Sequence, residues 1–376
     1  MRDTHHEDAA PLILYGAEIS YYTGKVRAYL RCLGLPFSEV PADRSVYKSV
    51  ILPRVGWPVI PVVVTDDDRT LQDSSAIIDA LDAHVARWSV FPTTPRQRVL
   101  ALLLEAYGDE WLKLPAMHYR WNHNTEWIIG EFGRLSRPDL DPAAQRAVGE
   151  QACRPFRGSL PALGVTEATA SAIETSYEGL LVELDAHFTE HAFLFGDRPS
   201  IADFGLIGPL YAHQYRDPAS GALMRRLAPQ VAAWVQRVHQ PEAPAALAAA
   251  GFLADDSVPD SLLPVLERLV REWLPVLSNA AERLNAWVAD SPEDPVPRTL
   301  GSQPFELEGV QATRMVFPFE LWMVQRAADA RRALPVAERR ALDDWLEPLG
   351  LLPILTLEHP RLTRRNFQLT LEGAGS

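Results

Sequence analysis

Cysteine is nearly absent from this 376-residue sequence, where Cys32 and Cys153 are the whole supply. Two thiols build neither a disulfide framework nor a four-thiolate zinc site, and without a C-x-x-C pair a dithiol redox centre is excluded as well. Long apolar runs are also missing, and none approaches the roughly 18 residues of a membrane span. The start, MRDTHHEDAA, has neither the basic residues nor the apolar stretch of a secretory signal. Positive charge is in deficit: a formal net charge of -13 sets the chain against polyanions, so neither nucleic acid nor an anionic membrane surface is an expected partner. A soluble protein of the reducing cytoplasm is the expectation. His5 and His6, beside Glu7 and Asp8, could scavenge a metal ion, but they sit in a polar tail, residues 1–10, expected to be disordered, and receive no role.

What the chain does have is apolar substance. Hydrophobic residues make up 47% and charged residues 23%, the proportions of a packed protein. Single cores stop growing at roughly 250–300 residues, so two or three domains are expected.

The first of these runs over residues 11–86. PLILY reads as a buried strand, and SYYTGKVRAYLRCLG as a helix ending at Gly34. PFSEV, RSVYKSVIL, PVVV, RTLQ and SSAIIDALDAH continue as strand, helix, strand, strand and helix, with a tight turn at Thr65-Asp66-Asp67-Asp68. The order β-α-β-α-β-β-α implies a small mixed sheet with helices on its faces. RWSVFPTTP is a linker, and from Arg96 to about residue 250 the apolar residues recur at helical spacing, giving an all-α domain. Residues 251–376 form a third segment. Its stretch SLLPVLERLVREWLPVLSNAAERLNAWVAD is amphipathic, with two prolines expected to break or kink it. FELEGVQATRMVF fits a hairpin around Glu308-Gly309, and helix follows as far as Leu346.

Three motifs stand out. In ILYGAEISYYTGKVRAYL a strand ends at Tyr15 and Ser20 precedes a helix. In WPVIPVVV followed by QDSSAIIDAL, Ile60-Pro61 and the pair Asp73-Ser74 flank the later strands. In GDRPSIADFGLIGPL, Ser200 and Asp203 have capping-box spacing. Together they resemble the glutathione S-transferase family, in its serine-type bacterial form, and the resemblance covers about two-thirds of the chain. It implies a thioredoxin-like N-terminal α/β domain, the family's all-α C-terminal domain, and a mostly helical extension that it leaves unexplained. It also implies glutathione as co-substrate, a small-molecule electrophile and a homodimer. Ser20 then becomes the thiolate-stabilising residue, with Thr23 and Tyr22 as the next candidates. A free thiol titrates near 8.5, and a useful shift of about two pKa units needs roughly 3 kcal/mol. One hydrogen bond to a charged acceptor supplies roughly 1.5–3 kcal/mol and a helix terminus about 0.3–1, so Ser20 and its helix suffice without a base. A cis Ile60-Pro61 bond would expose the Ile60 backbone to pair with a peptide-like ligand. Asp73 would take the glutathione ammonium, and Ser74 with the helix N-terminus the γ-glutamyl carboxylate. Each of these residues is also an ordinary N-cap, a role compatible with binding.

The chain departs from the family before Pro61, where LPRVGWPVIP lacks the usual polar anchor. Arg54, or Lys48, is the candidate replacement for holding the glycine carboxylate. Aromatic residues crowd LLLEAYGDEWLKLPAMHYRWNHNTEW, and Tyr107 and Trp111, one turn apart, are the candidates for an apolar or aromatic electrophile pocket, against plain core packing. His118 and His123 stand five apart, off a common helix face, so no metal site is expected. Cys32 reads as a buried small hydrophobe, and Cys153 lies far from the front-domain turn. The other class of function compatible with these residues is a noncatalytic, metaxin-like binding protein that acts through partners of its extension.

Overall fold

A computed structural model describes residues 12–84, 88–290 and 295–373 of the protein. The tail over residues 1–10, with His5 and His6, and the last two residues of the first expected domain lie outside these.

The opening run folds in the expected order. Strand β1 (Leu12–Gly16) leads to α1 (Tyr21–Cys32), β2 (Phe37–Pro41), a broken helix α2, β3 (Val62–Val64), β4 (Thr70–Gln72) and α3 (Ser74–Asp82). The sheet order is β2-β1-β3-β4, with β2 parallel to β1 and the other pairings antiparallel. Helices cover both faces, so Val62, Val63 and Val64 are all buried. RSVYKSVIL is not one regular helix: α2 runs as Arg44–Val46, a π turn Tyr47–Ile51, and Leu52–Val55. Two local competitors account for the irregularity. Pro53 has no N–H to give the preceding turn, and Ser49 Oγ bonds back to Ser45 O at 2.9 Å.

The second segment is helical: α4 (Pro95–Ala106), a π turn Tyr107–Trp111, α5 (Lys113–His123), α6 (Thr125–Ser136), α7 (Pro142–Gly158), α8 (Ala170–Glu190), α9 (Ile201–Pro209), a second π turn Leu210–Tyr215, α10 (Pro218–Leu227) and α11 (Pro229–His239). The Ser200–Asp203 capping box is present at the start of α9. Asp203 also receives Leu194 N at 3.1 Å and Trp234 Nε1 at 3.0 Å, so one buried carboxylate joins three elements. The two π turns bracket a close crossing. A Cβ on Gly108 would lie 2.6 Å from Gly205 O, so these backbones touch because neither residue has a side chain.

The third segment is part of the same core. α12 (Leu263–Asp290) is one continuous helix, so its prolines do not break it. Pro264 sits in the first turn, where its missing N–H costs nothing, and the face carrying Leu269, Trp273, Val276, Leu277, Ala280 and Leu284 is buried on both sides of Pro275. The hairpin β5 (Ser302–Leu307) and β6 (Val310–Met315) closes through Glu308 and Gly309, both at positive φ (47° and 78°), the two-residue turn whose twist matches its strands. Then come α13 (Pro318–Arg332), lying along α4, and α14 (Val336–Leu346). A second hairpin follows, β7 (Leu362–Arg365) and β8 (Gln368–Leu371), turned at Asn366-Phe367 with φ of 49° and 63°. One hydrophobic cluster runs from Leu14 through Tyr107 and Trp273 to Leu362. No helix among the described residues is long and apolar enough to cross a membrane.

Candidate active site

Sheet register gathers the three candidate segments. Tyr15 pairs with Val62 and Val62 with Gln72, a single row across β1, β3 and β4. β1 leaves this row toward Ser20, β3 enters it from Ile60-Pro61, and β4 leaves it toward Asp73-Ser74, so all three meet at one edge of the sheet. The Ile60-Pro61 bond is cis. Two helix N-termini, of α1 and α3, open onto the same edge and favour negative charge there.

The caps are made by the residues expected to bind. Ser20 Oγ accepts Thr23 N at 3.2 Å, a bond that does not spend its own hydroxyl proton. Asp73 Oδ1 accepts Ser75 N at 3.0 Å and Ala76 N at 3.2 Å. Asp73 holds φ 77° and ψ 133°, a strained conformation for a residue with a side chain, worth about 1–3 kcal/mol and met most often at functional sites. Ser74 is buried beside it.

Other candidates sit differently. Thr23 is fully buried, receives Ala17 N at 3.4 Å and packs onto Gly16, so its hydroxyl serves the β1–α1 loop. Tyr22 donates to Asp109 O at 3.0 Å, and burial, reinforced by Glu110, holds its pKa well above the usual tyrosine value, so it remains a proton donor. Arg54 bonds Asp68 Oδ1 at 2.5 Å and Thr70 Oγ1 at 3.1 Å, which commits its guanidinium to the β3–β4 turn; Lys48 is exposed on α2. Tyr107 and Trp111 are both buried. The extension covers both: Trp273 lies 6.1 Å from the Tyr107 ring, Phe305 lies 6.4 Å from the Trp111 ring, and Trp111 Nε1 donates to Glu272 at 2.9 Å. Cys32 is buried and its thiol donates to Val238 O at 3.3 Å, while burial pushes the Cys153 thiol up to about 11.

Two features of this region were not anticipated. The first is a buried ion network behind the edge. Lys25 Nζ lies 2.6 Å from Glu105, 2.5 Å from Asp109 and 2.8 Å from Ser75 Oγ, and Arg326 of α13 bonds both Glu105 and Asp79. Burial raises the Asp109 carboxyl to about 7 against the pull of Lys25, whereas at Glu105 Arg326 and Lys25 outweigh burial and lower it. The sequence signal was two acids one turn apart, Glu105 and Asp109, within an otherwise apolar helical run.

The second is the β7–β8 hairpin, which seats on the edge itself. Arg364 donates to Gln72 O at 2.9 Å and to the Gln72 side chain, one residue before Asp73. Phe367 at its turn packs in the cluster that contains Trp57, Val59, Ile60 and Val62. Arg298, in the loop that precedes β5, stacks 5.3 Å over the same Trp57. A turn-forming Asn366 was the available signal for the hairpin; nothing in the sequence pointed to where it docks.

A thioredoxin-like sheet with a cis-proline edge and a helical second domain defines the glutathione transferase class of protein. Residues 14–88 match the family model described as glutathione S-transferase, N-terminal domain, and residues 167–237 that of the C-terminal domain. The chain thus carries segments that match both domain models of the glutathione S-transferase family. Among solved structures it is similar in fold to a glutathione S-transferase from Rhodospirillum rubrum F11, at 17% identity over 66% of this chain and 96% of that one, TM-score 0.41. It is also similar to the Tau class enzyme of mango, Mangifera indica, at 17% identity over 64% and 96%, TM-score 0.40. A third is the beta-etherase LigF from Sphingobium sp. strain SYK-6, at 15% identity over 63% and 98%, TM-score 0.46. No curated protein matches the sequence.

Proposed function

We propose that this chain is a glutathione transferase-like enzyme that binds glutathione at the sheet edge, stabilises its sulfur as a thiolate at Ser20, and delivers it to an apolar or aromatic electrophile. The observation that carries this reading is the Tyr15–Val62–Gln72 row, which brings Ser20, Ile60-Pro61 and Asp73-Ser74 together under two helix N-termini. The Ile60 backbone would pair with the tripeptide, Asp73 would take the ammonium, and the N-terminus of α3 with Ser74 would take the γ-glutamyl carboxylate. The Ser20 hydroxyl, aided by α1, would donate to the sulfur. A dimer and a cytoplasmic location accord with this reading and belong to the proposal.

The seating of Arg364 and Phe367 on the same edge favours a second reading, a noncatalytic member of the fold whose front site is filled by its own extension. Calorimetric titration with glutathione separates the two. The enzyme reading expects saturable binding at submillimolar concentration, weakened at least tenfold by Asp73→Ala. Absence of binding at several millimolar glutathione would discard it in favour of the binding protein.

A further inference from the structure

Away from the edge, α5 and α8 frame a cleft of about 530 Å3, and at its wall three metal-ligating side chains converge. His118 Nε2 lies 2.9 Å and His123 Nε2 2.8 Å from the same oxygen, Glu174 Oε1. Their spacing in the sequence argued against this, because residues five apart on a regular helix point about 140° away from each other. His123 escapes that geometry as the last residue of α5: Asn124 follows at φ -125° and ψ 18°, and the His123 ring folds back 5.2 Å from Tyr119 and 5.3 Å from His118.

We propose that His118, His123 and Glu174 form a binding site for a divalent transition-metal ion of the zinc class, with its fourth coordination position open to the cleft. Two imidazoles and one carboxylate are a donor set that zinc accepts, and three protein ligands beside open space are the pattern of a site that keeps an exchangeable position. Imidazole donors select against magnesium and calcium. The three donor atoms already lie within 4.8 Å of one another, so a central ion requires only side-chain adjustment. It would replace the protons that both Nε2 atoms now direct at Glu174.

Neighbouring groups suit that exchange. Asn122 contacts His118 Nδ1 through its amide at 2.9 Å. Turned over, the same amide accepts an Nδ1–H, the bond that orients a metal-bound histidine and leaves Nε2 bare for the ion. Of the three ligands, His123 and Glu174 are well exposed at 40% and 36%, so they can be replaced without opening the core.

The test is equilibrium dialysis of the chelator-stripped full chain against Zn2+, with His5→Ala and His6→Ala introduced together so that the tail cannot contribute. The expectation is one ion bound per chain at micromolar free zinc, unaffected by a large excess of Mg2+. His123→Ala and Glu174→Gln should each weaken binding at least tenfold with unchanged circular dichroism. Cobalt should give visible bands of tetrahedral intensity that disappear in His123→Ala. No saturable binding in the tail variant, or ligand variants that bind zinc as tightly as the tail variant, would overturn the site.

Discussion

At the scale of single residues, the case for chemistry rests on hydroxyls and carboxylates that also cap helices. Ser20 and Asp73 each hold backbone N–H groups, and each keeps a polar function that the cap does not use. This double duty makes Ser20 a sharp test. Its hydroxyl bond to a thiolate is worth roughly 1.5–3 kcal/mol, so Ser20→Ala should slow thiol transfer about 10- to 150-fold. The lost cap costs the fold only about 0.5–2 kcal/mol, so glutathione binding should persist. Turnover measured against a model aromatic electrophile checks this, and an unchanged rate with intact binding would reject Ser20 as the activator. Arg54 shows the opposite outcome of residue-level reading. Guanidinium chemistry suits a carboxylate anchor, but Asp68 and Thr70 across the strand turn have already engaged it.

At the scale of elements, the β7–β8 hairpin decides access to the edge. Its Arg364 occupies the Gln72 backbone carbonyl and side chain, beside the carboxylate proposed to take the ligand's ammonium. If hairpin and glutathione compete for this strip, Arg364→Ser should raise glutathione affinity several-fold. Calorimetry on the full chain reads this directly. Weaker binding in the variant would instead make Arg364 a wall of the site. The elements themselves were largely legible. Alternating and helical periods located the sheet, the helices and the Glu308-Gly309 hairpin, since each depends on local pattern and turn chemistry. Continuity of α12 through Pro275 was not legible, because a buried face on both sides of the proline outweighs the lost backbone bond only once tertiary packing exists.

At the scale of the whole molecule, the extension is built into the other two domains rather than appended to them. Trp273 and Phe305 cover Tyr107 and Trp111, and Arg326 reaches Glu105 of α4 and Asp79 of α3. Arg326→Met would leave two buried carboxylates, Glu105 and Asp109, facing Lys25 alone. Breaking a buried ion network in this way costs about 3–5 kcal/mol, so the urea midpoint should fall markedly in a single cooperative transition. A loss under about 1 kcal/mol would mean that the network does not secure the extension.

The sequence by itself determined the order of elements in the first domain, the helical second domain, the capping box and the Glu308-Gly309 hairpin, because all of these follow from spacing along the chain. Only the tertiary structure decided that the aromatic pair Tyr107 and Trp111 is sealed by the extension, that Lys25, Glu105, Asp109 and Arg326 share one buried network, and that His118, His123 and Glu174 meet. The physical reason is separation. Each of these sites joins residues tens to hundreds of positions apart, or turns on a helix end, and local periodicity carries no information about which distant surfaces pack together.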